Sequence, residues 1–281
     1  MTVTEAMIGE TQRDRSPRSH VQVRTIYLIA GLLGALVLWC LAGENYAAAA
    51  EDRLVVVDSV DAPWPSIGRV NAAGYRRKAM CTGTLIAPRK VLTAAHCLFD
   101  AATGRPHPLD DLRFVAGVRR DQYAAVARVS CTRMHADFGF RQRPDLQDAY
   151  TDVAVLILAD PMDVPPVRLY DRRNAPQITS STPIRAAGYR QSRRFLPTLD
   201  PDCRVLGAAG RTWVTSCTTE QGASGGPLFV ESNGHWTVAG VVSGRIDAGR
   251  SAVAPWVEWQ ALLAPANCPA ALDGTAASET E

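Results

Sequence analysis

Three residues of this 281-residue chain have the types that nucleophilic catalysis needs, and each stands in a segment able to fix it. Ser224 lies in TEQGASGGPLF, residues 219–229, among three glycines. A serine hydroxyl attacks a carbonyl poorly at neutral pH unless a base lies within hydrogen-bond reach. His96, near the end of CTGTLIAPRKVLTAAHC at 81–97, is a candidate base. Asp152, in YTDVAVLIL at 150–158, is a candidate acid to orient it. Each has a plain alternative: a turn that needs glycine, a packed histidine, an aspartate capping a strand. His96 and Cys97 could form half of a metal site, but adjacent His and Cys lack the spacing for joint tetrahedral ligation. GASGG also fits the nucleophile elbow of α/β-hydrolases, which requires the order Ser, acid, His. Only Glu231 lies between Ser224 and the single later histidine, His235, and Pro227 opposes the helix the elbow leads into.

The elements that must position these residues read as strands. Two apolar runs flank the PRK turn at 88–90 and give a hairpin that delivers His96. An unbroken apolar run follows Asp152, the pattern of a buried strand, so its carboxylate would be shielded from water. Strand-like segments separated by Gly, Pro and Asp clusters recur and long amphipathic helical patterns are absent, which gives an all-β class. One short helix is expected over Ala254–Ala264, with Trp256, Trp259, Leu262 and Leu263 as packing residues. The polar tail DGTAASETE is expected to be disordered.

The order His96, Asp152, Ser224, with the histidine in TAAHC and the serine in GASGGP, resembles the trypsin-like (chymotrypsin-fold) serine proteases. The resemblance runs from about Pro63 to Pro265 and extends to MHADF at 134–138 and VAGVVSG at 238–244. His135 in the first of these is expected to be structural. The resemblance implies two six-stranded antiparallel β-barrels with the active site in the cleft between them: a first barrel at about 63–158, a linker at 159–183, a second barrel at 184–253, and the helix and tail at 254–281. It implies that His96 takes the proton of Ser224 and returns it to the leaving amine, that Asp152 steadies the imidazole, and that the N–H groups of Gly222 and Ser224 form an oxyanion hole. Peptide or protein substrates are implied, with no cofactor and no metal, acting as a monomer. A catalytically silent binding module and an esterase with the same triad remain open alternatives.

A formal charge of +2 with dispersed arginines excludes a nucleic-acid stripe. The apolar run 26–42, preceded by arginines, lies between a signal-peptide core and a membrane span in length. Residues 1–50 therefore read as a signal peptide cut near Ala50 or an uncleaved anchor, and the domain from 51 to 281 as secreted or periplasmic, or anchored through 26–42. Setting Cys40 aside leaves six cysteines, an even number that suits a secreted disulfide framework with fifteen possible pairings. The family resemblance places one bridge at Cys81–Cys97. Cys203 and Cys217 flank a hairpin, and Cys131 and Cys268 are left to pair by elimination.

The chain departs from animal trypsins in two places. Ala223, not aspartate, precedes the serine, and no IVGG-like stretch precedes Cys81, which resembles the bacterial secreted branch that includes glutamyl endopeptidases. The oxyanion loop is then expected to be ordered without a new N-terminus, with the Cys203–Cys217 bridge assisting. Thr218 stands where an aspartate would select basic side chains, with Thr219 beside it, and the substrate-binding strand reads Ser243, Gly244, Arg245. Arg245 either attracts an acidic substrate side chain, or points to solvent or pairs with a neighbour such as Asp247, leaving a pocket with Thr218 and Thr219 for small or medium uncharged residues.

Overall fold

The computed structural model describes residues 53–72, 80–264 and 268. The apolar run 26–42, the cut near Ala50 and the polar tail lie outside the described residues. In chain order the strands are β1 (Val55–Val56), β2 (Ile67–Ala72), β3 (Met80–Ala87), β4 (Lys90–Thr93), β5 (Leu112–Ala116), β6 (Ala125–Met134), β7 (Ala154–Leu158) and β8 (Arg168–Leu169). They continue as β9 (Ile184–Arg190), β10 (Arg193–Cys203), β11 (Val205–Ala209), β12 (Thr212–Thr215), β13 (Pro227–Ser232), β14 (His235–Asp247) and β15 (Arg250–Pro255). Among the described residues every helical segment is a short 3-10 turn, and none is long and apolar enough to cross a membrane.

Strands β2-β3-β4-β7-β6-β5 close into a six-stranded barrel. Its core shows why the run after Asp152 is apolar without alternation. Ala154, Leu156 and Leu158 of β7 join Val70, Leu85 and Phe114 inside the barrel, while Val155 and Ile157 point the other way. There they enter a second cluster with Tyr189, Phe229, Val241 and Trp259 of the other half. A strand whose faces feed two cores has no face for polar residues.

The second half differs from a simple six-stranded barrel. It is a nine-stranded sheet ordered β1-β10-β9-β13-β14-β15-β12-β11, with β8 pairing parallel to β14. The reason lies in one bent segment: only Arg204 separates β10, which pairs with β9, from β11, which pairs with β12. Counting that segment once leaves six barrel strands, to which the two-residue strands β1 and β8 are added. The linker at 159–183 is stapled to both halves. Val167 N–H donates to Leu85 C=O at 2.9 Å and Tyr170 N–H to Val238 C=O at 2.9 Å.

The expected C-terminal helix is shorter than Ala254–Ala264 and is a 3-10 segment, Trp256–Leu262. Ala254 and Pro255 finish β15 instead, because the residue before a proline is pushed toward extended backbone. Its aromatic residues pack as expected, with Trp259 fully buried and Trp256, Leu262 and Leu263 against the shared cluster. Among the described residues three disulfides are present: Cys81–Cys97, Cys131–Cys268 and Cys203–Cys217.

Candidate active site

His96 follows β4 on the 3-10 turn Ala95–Leu98, and the neighbouring Cys97 is tied to β3 through Cys81. Asp152 caps the 3-10 segment Leu146–Thr151 immediately before β7. The two meet through both carboxylate oxygens. His96 N–H donates to Asp152 Oδ1 at 2.8 Å, and His96 Nδ1 lies 2.7 Å from Oδ2. Because a carboxylate only accepts, Nδ1 carries the proton and Nε2 keeps its lone pair. The hydroxyl of Ser243 donates to the same Oδ2 at 2.5 Å. Burial opposes charge on His96, but the Asp152 charge and hydrogen bond outweigh it and hold the imidazole above its ordinary 6.5. Burial likewise opposes the Asp152 carboxylate, and His96, then Ser243, hold it below the usual carboxylate range.

Near His96 Nε2 lies the Sγ of Cys97 at 3.7 Å, a disulfide sulfur with no proton to give. Cys81, His96 and Cys97 cluster closely enough to suggest a metal site, yet both sulfurs are spent in the disulfide and no thiolate is left. Among the described residues Ser224 Oγ makes no hydrogen bond to His96.

Ser224 sits on a turn shaped by glycines. Gly222 has φ of +99°, where L side chains are strained, and a Cβ there would come 2.9 Å from Tyr189 O. Thr82 on β3 grips this turn from the first barrel. Its N–H donates to Ser224 C=O at 2.8 Å and its hydroxyl to Gly222 C=O at 2.8 Å, while that hydroxyl accepts from Tyr189 N–H at 2.9 Å. From the other side, Gln191 N–H donates to Gln221 C=O at 2.8 Å. In a trans peptide C=O and N–H point in opposite directions, so this bond turns the Gly222 N–H away from the β9–β10 turn. Arg190 pairs with Glu220 at 3.2 Å, and Ser192 Oγ donates to the same carboxylate at 2.7 Å.

One cleft of ≈ 840 Å³ is lined by His96, Asp152, Ser224, Ser243, Gly244 and Arg245, with Phe138, Leu146 and Ile246 supplying apolar wall. The sequence model of the Trypsin family matches residues 57–255, about seven-tenths of the chain. The chain belongs to the trypsin family. No curated protein matches it.

Several residues of this trypsin-family chain stand differently from their sequence reading. The hydroxyl of Ser243, expected at substrate, is occupied by Asp152. Thr218 and Thr219 are buried, 8% and 5% exposed, and lie outside that cleft lining. Thr219 Oγ1 meets Ser251 Oγ at 3.2 Å, and Thr218 Oγ1 accepts from Arg53 at 3.3 Å. The pairing of Arg245 with Asp247 does not form, because Asp247 is held by Arg250 at 2.5 Å. Arg245 is exposed at the cleft and has no ion pair among the described residues. His135 is structural: its Nδ1 accepts from Asp137 N–H at 3.1 Å and its ring stacks edge-on to Tyr150. Thr82, Gln191 and Glu220 escaped the sequence reading. Thr82 stands beside Cys81 in CTG, but only the fold brings it against a loop 140 residues away.

Proposed function

We propose that the protein is a serine endopeptidase, exported from the cytoplasm, that cleaves peptide bonds through an acyl-enzyme on Ser224. The observation that carries this reading is the doubly bonded His96–Asp152 pair facing the cleft that Ser224 also lines. Substrate binds with its carbonyl carbon above Ser224 Oγ. His96 Nε2 takes the hydroxyl proton as the C–O bond forms, and Asp152 stabilises the resulting imidazolium. The oxyanion is received by the N–H groups of Gly222 and Ser224. His96 then protonates the departing amine, and water, activated by the same nitrogen, releases the acid and restores Ser224.

Export is supported by three disulfides, which persist in oxidising compartments. Substrate preference is read from Arg245, a cation at the cleft with Asp247 already engaged: an acidic side chain before the cleaved bond gains a forked ion pair. Two measurements test the reading. A fluorophosphonate probe labels the protein and neither Ser224→Ala nor His96→Ala, which would each lose hydrolysis by about 10⁶-fold while keeping their fold. Failure of the unaltered protein to label would leave a binding module, and ester turnover without peptide turnover an esterase. Profiling with a mixed peptide library places an acidic residue before the cut, and Arg245→Ala abolishes that preference. Dominant cleavage after Lys or Arg would overturn the preference.

A further inference from the structure

Asp200 on β10 is fully buried, and its carboxylate meets a cation from far away in the chain. One terminal nitrogen of Arg53, just before β1, lies 2.9 Å from Asp200 Oδ2, 3.0 Å from Ser216 C=O and 3.3 Å from Thr218 Oγ1. The same Oδ2 accepts Thr218 N–H at 2.7 Å. Among the described residues Arg53 is the only ion-pair partner of Asp200. β1 presents Arg53 there by pairing Val55 with Leu199 and Val56 with Thr198. Two points on the segment leading to Gly222 and Ser224, Ser216 C=O and Thr218 Oγ1, are thus tied directly to one guanidinium, and the Thr218 N–H is tied to it through Asp200. Together with the Cys203–Cys217 bridge, these contacts fix the start of the loop whose far end carries the nucleophile.

We propose that Arg53 is a positioning residue for the reaction, and that docking of the N-terminal strand through Arg53 and Asp200 sets the geometry of the 216–224 loop. This rests on the protease reading above. The physical reason is the cost of a buried charge. With Arg53 gone, Asp200 is an uncompensated carboxylate in the protein interior, relieved only by taking up a proton or by drawing in water. Either response disturbs the Thr218 N–H bond, and the displacement is passed along six residues to the nucleophile. Burial already raises Asp200 above the ordinary carboxylate value, against the pull of the Thr218 N–H and of Arg53.

The test uses the full chain carrying Arg53→Ala, Arg53→Lys, Asp200→Asn and the double variant, with Ser224→Ala as the inactive reference. Melting curves, kcat and KM on a peptide substrate and the rate of fluorophosphonate labelling are measured for each. Arg53→Ala is expected to lower kcat/KM and the labelling rate by about tenfold or more, and Arg53→Lys to recover most of that loss. In the Asp200→Asn background, where the buried charge is absent and the amide oxygen still accepts from Thr218, Arg53→Ala is expected to have a much smaller effect, limited to its lost bonds to Ser216 C=O and Thr218 Oγ1. An equal effect of Arg53→Ala in both backgrounds, or unchanged kcat/KM and labelling in Arg53→Ala, would overturn the proposal. If Arg53→Ala alone does not fold, the double variant still decides: activity close to that of Asp200→Asn supports the coupling, and a further loss of about tenfold opposes it. An unaltered chain that neither labels nor hydrolyses would instead overturn the protease reading, which separates the two failures.

Discussion

The His96–Asp152 pair and the Ser224 loop reach the same cleft by opposite means. The pair turns on one side chain, the Asp152 carboxylate, which holds the His96 ring through Nδ1 and the His96 backbone through its N–H, and each residue stands beside the end of a barrel strand. The loop is built from backbone. Ser224 itself is held through its carbonyl, and its neighbours through peptide groups gripped by Thr82, Gln191 and Thr218's partner Asp200. Each half is vulnerable in its own way: the pair to loss of a charge, the loop to anything that moves a peptide plane by a fraction of its width.

The largest loss is expected at Asp152. Asp152→Asn keeps the shape but removes the charge and donates where His96 needs an acceptor, so kcat is expected to fall by about 10⁴-fold. The pH profile sharpens the point. On the proposed mechanism hydrolysis needs neutral His96, so in the unaltered protein activity is expected to rise with pH through a midpoint above 6.5, because Asp152 holds the proton on. The linked stability has the matching sign. The raised imidazole stabilises the fold fully below 6.5 and loses this as pH rises through its folded value. The depressed Asp152 carboxyl contributes above 3.8 and loses this as pH falls through its folded value, so the contribution of the pair is largest between these limits. An unaltered midpoint in a residual Asp152→Asn profile would sever the link between the two residues.

On the loop side the expected losses are smaller. Gly222→Ala places a Cβ against Tyr189 O at a φ that side chains avoid, and the displaced N–H is worth about 10²–10³-fold in kcat. Labelling of Ser224 is expected to slow in parallel while the pH midpoint stays where it was. A shifted midpoint would mean that the loop and the pair are not separable. Thr82→Val keeps the volume and the backbone bond to Ser224, but leaves Gly222 C=O and Tyr189 N–H without their partner. About 1–3 kcal/mol of stability is expected to go, with activity reduced less than in Gly222→Ala. Equal stability in denaturant titration would show that water replaces the hydroxyl.

What was legible in the sequence follows the same division. His96, Asp152 and Ser224 can be singled out because side-chain chemistry is written in residue types, and their chain order adds the rest. The barrel strand after Asp152 is legible from its apolar run, and the hairpin before His96 from its PRK turn. β1 is not legible, since two residues carry no periodicity. Nor is the Arg53–Asp200 pair, whose members are 147 residues apart and look like any two surface charges. Thr218 stands apart for a related reason: the family resemblance places it at a pocket floor by its position six residues before Ser224, while its N–H and hydroxyl are turned to a buried carboxylate and an arginine. The second sheet's extra strands come from segments that extend barrel edges already formed, a choice made by tertiary contact rather than by local pattern.

The Cys131–Cys268 bridge encloses Asp152, the whole linker and Ser224 in one covalent ring, and leaves His96 outside it. A protease at high concentration meets copies of itself, and the exposed stretch that follows Asp171, residues 172–174, offers a target for a nick after an acidic residue. Any single cut between residues 132 and 267 opens the ring without releasing a piece. The fragment bearing the serine stays joined to the fragment bearing the histidine until a reductant arrives. Damage to this molecule is therefore recorded as a broken chain of unchanged mass apart from one added water, and the particle outlives the integrity of its backbone.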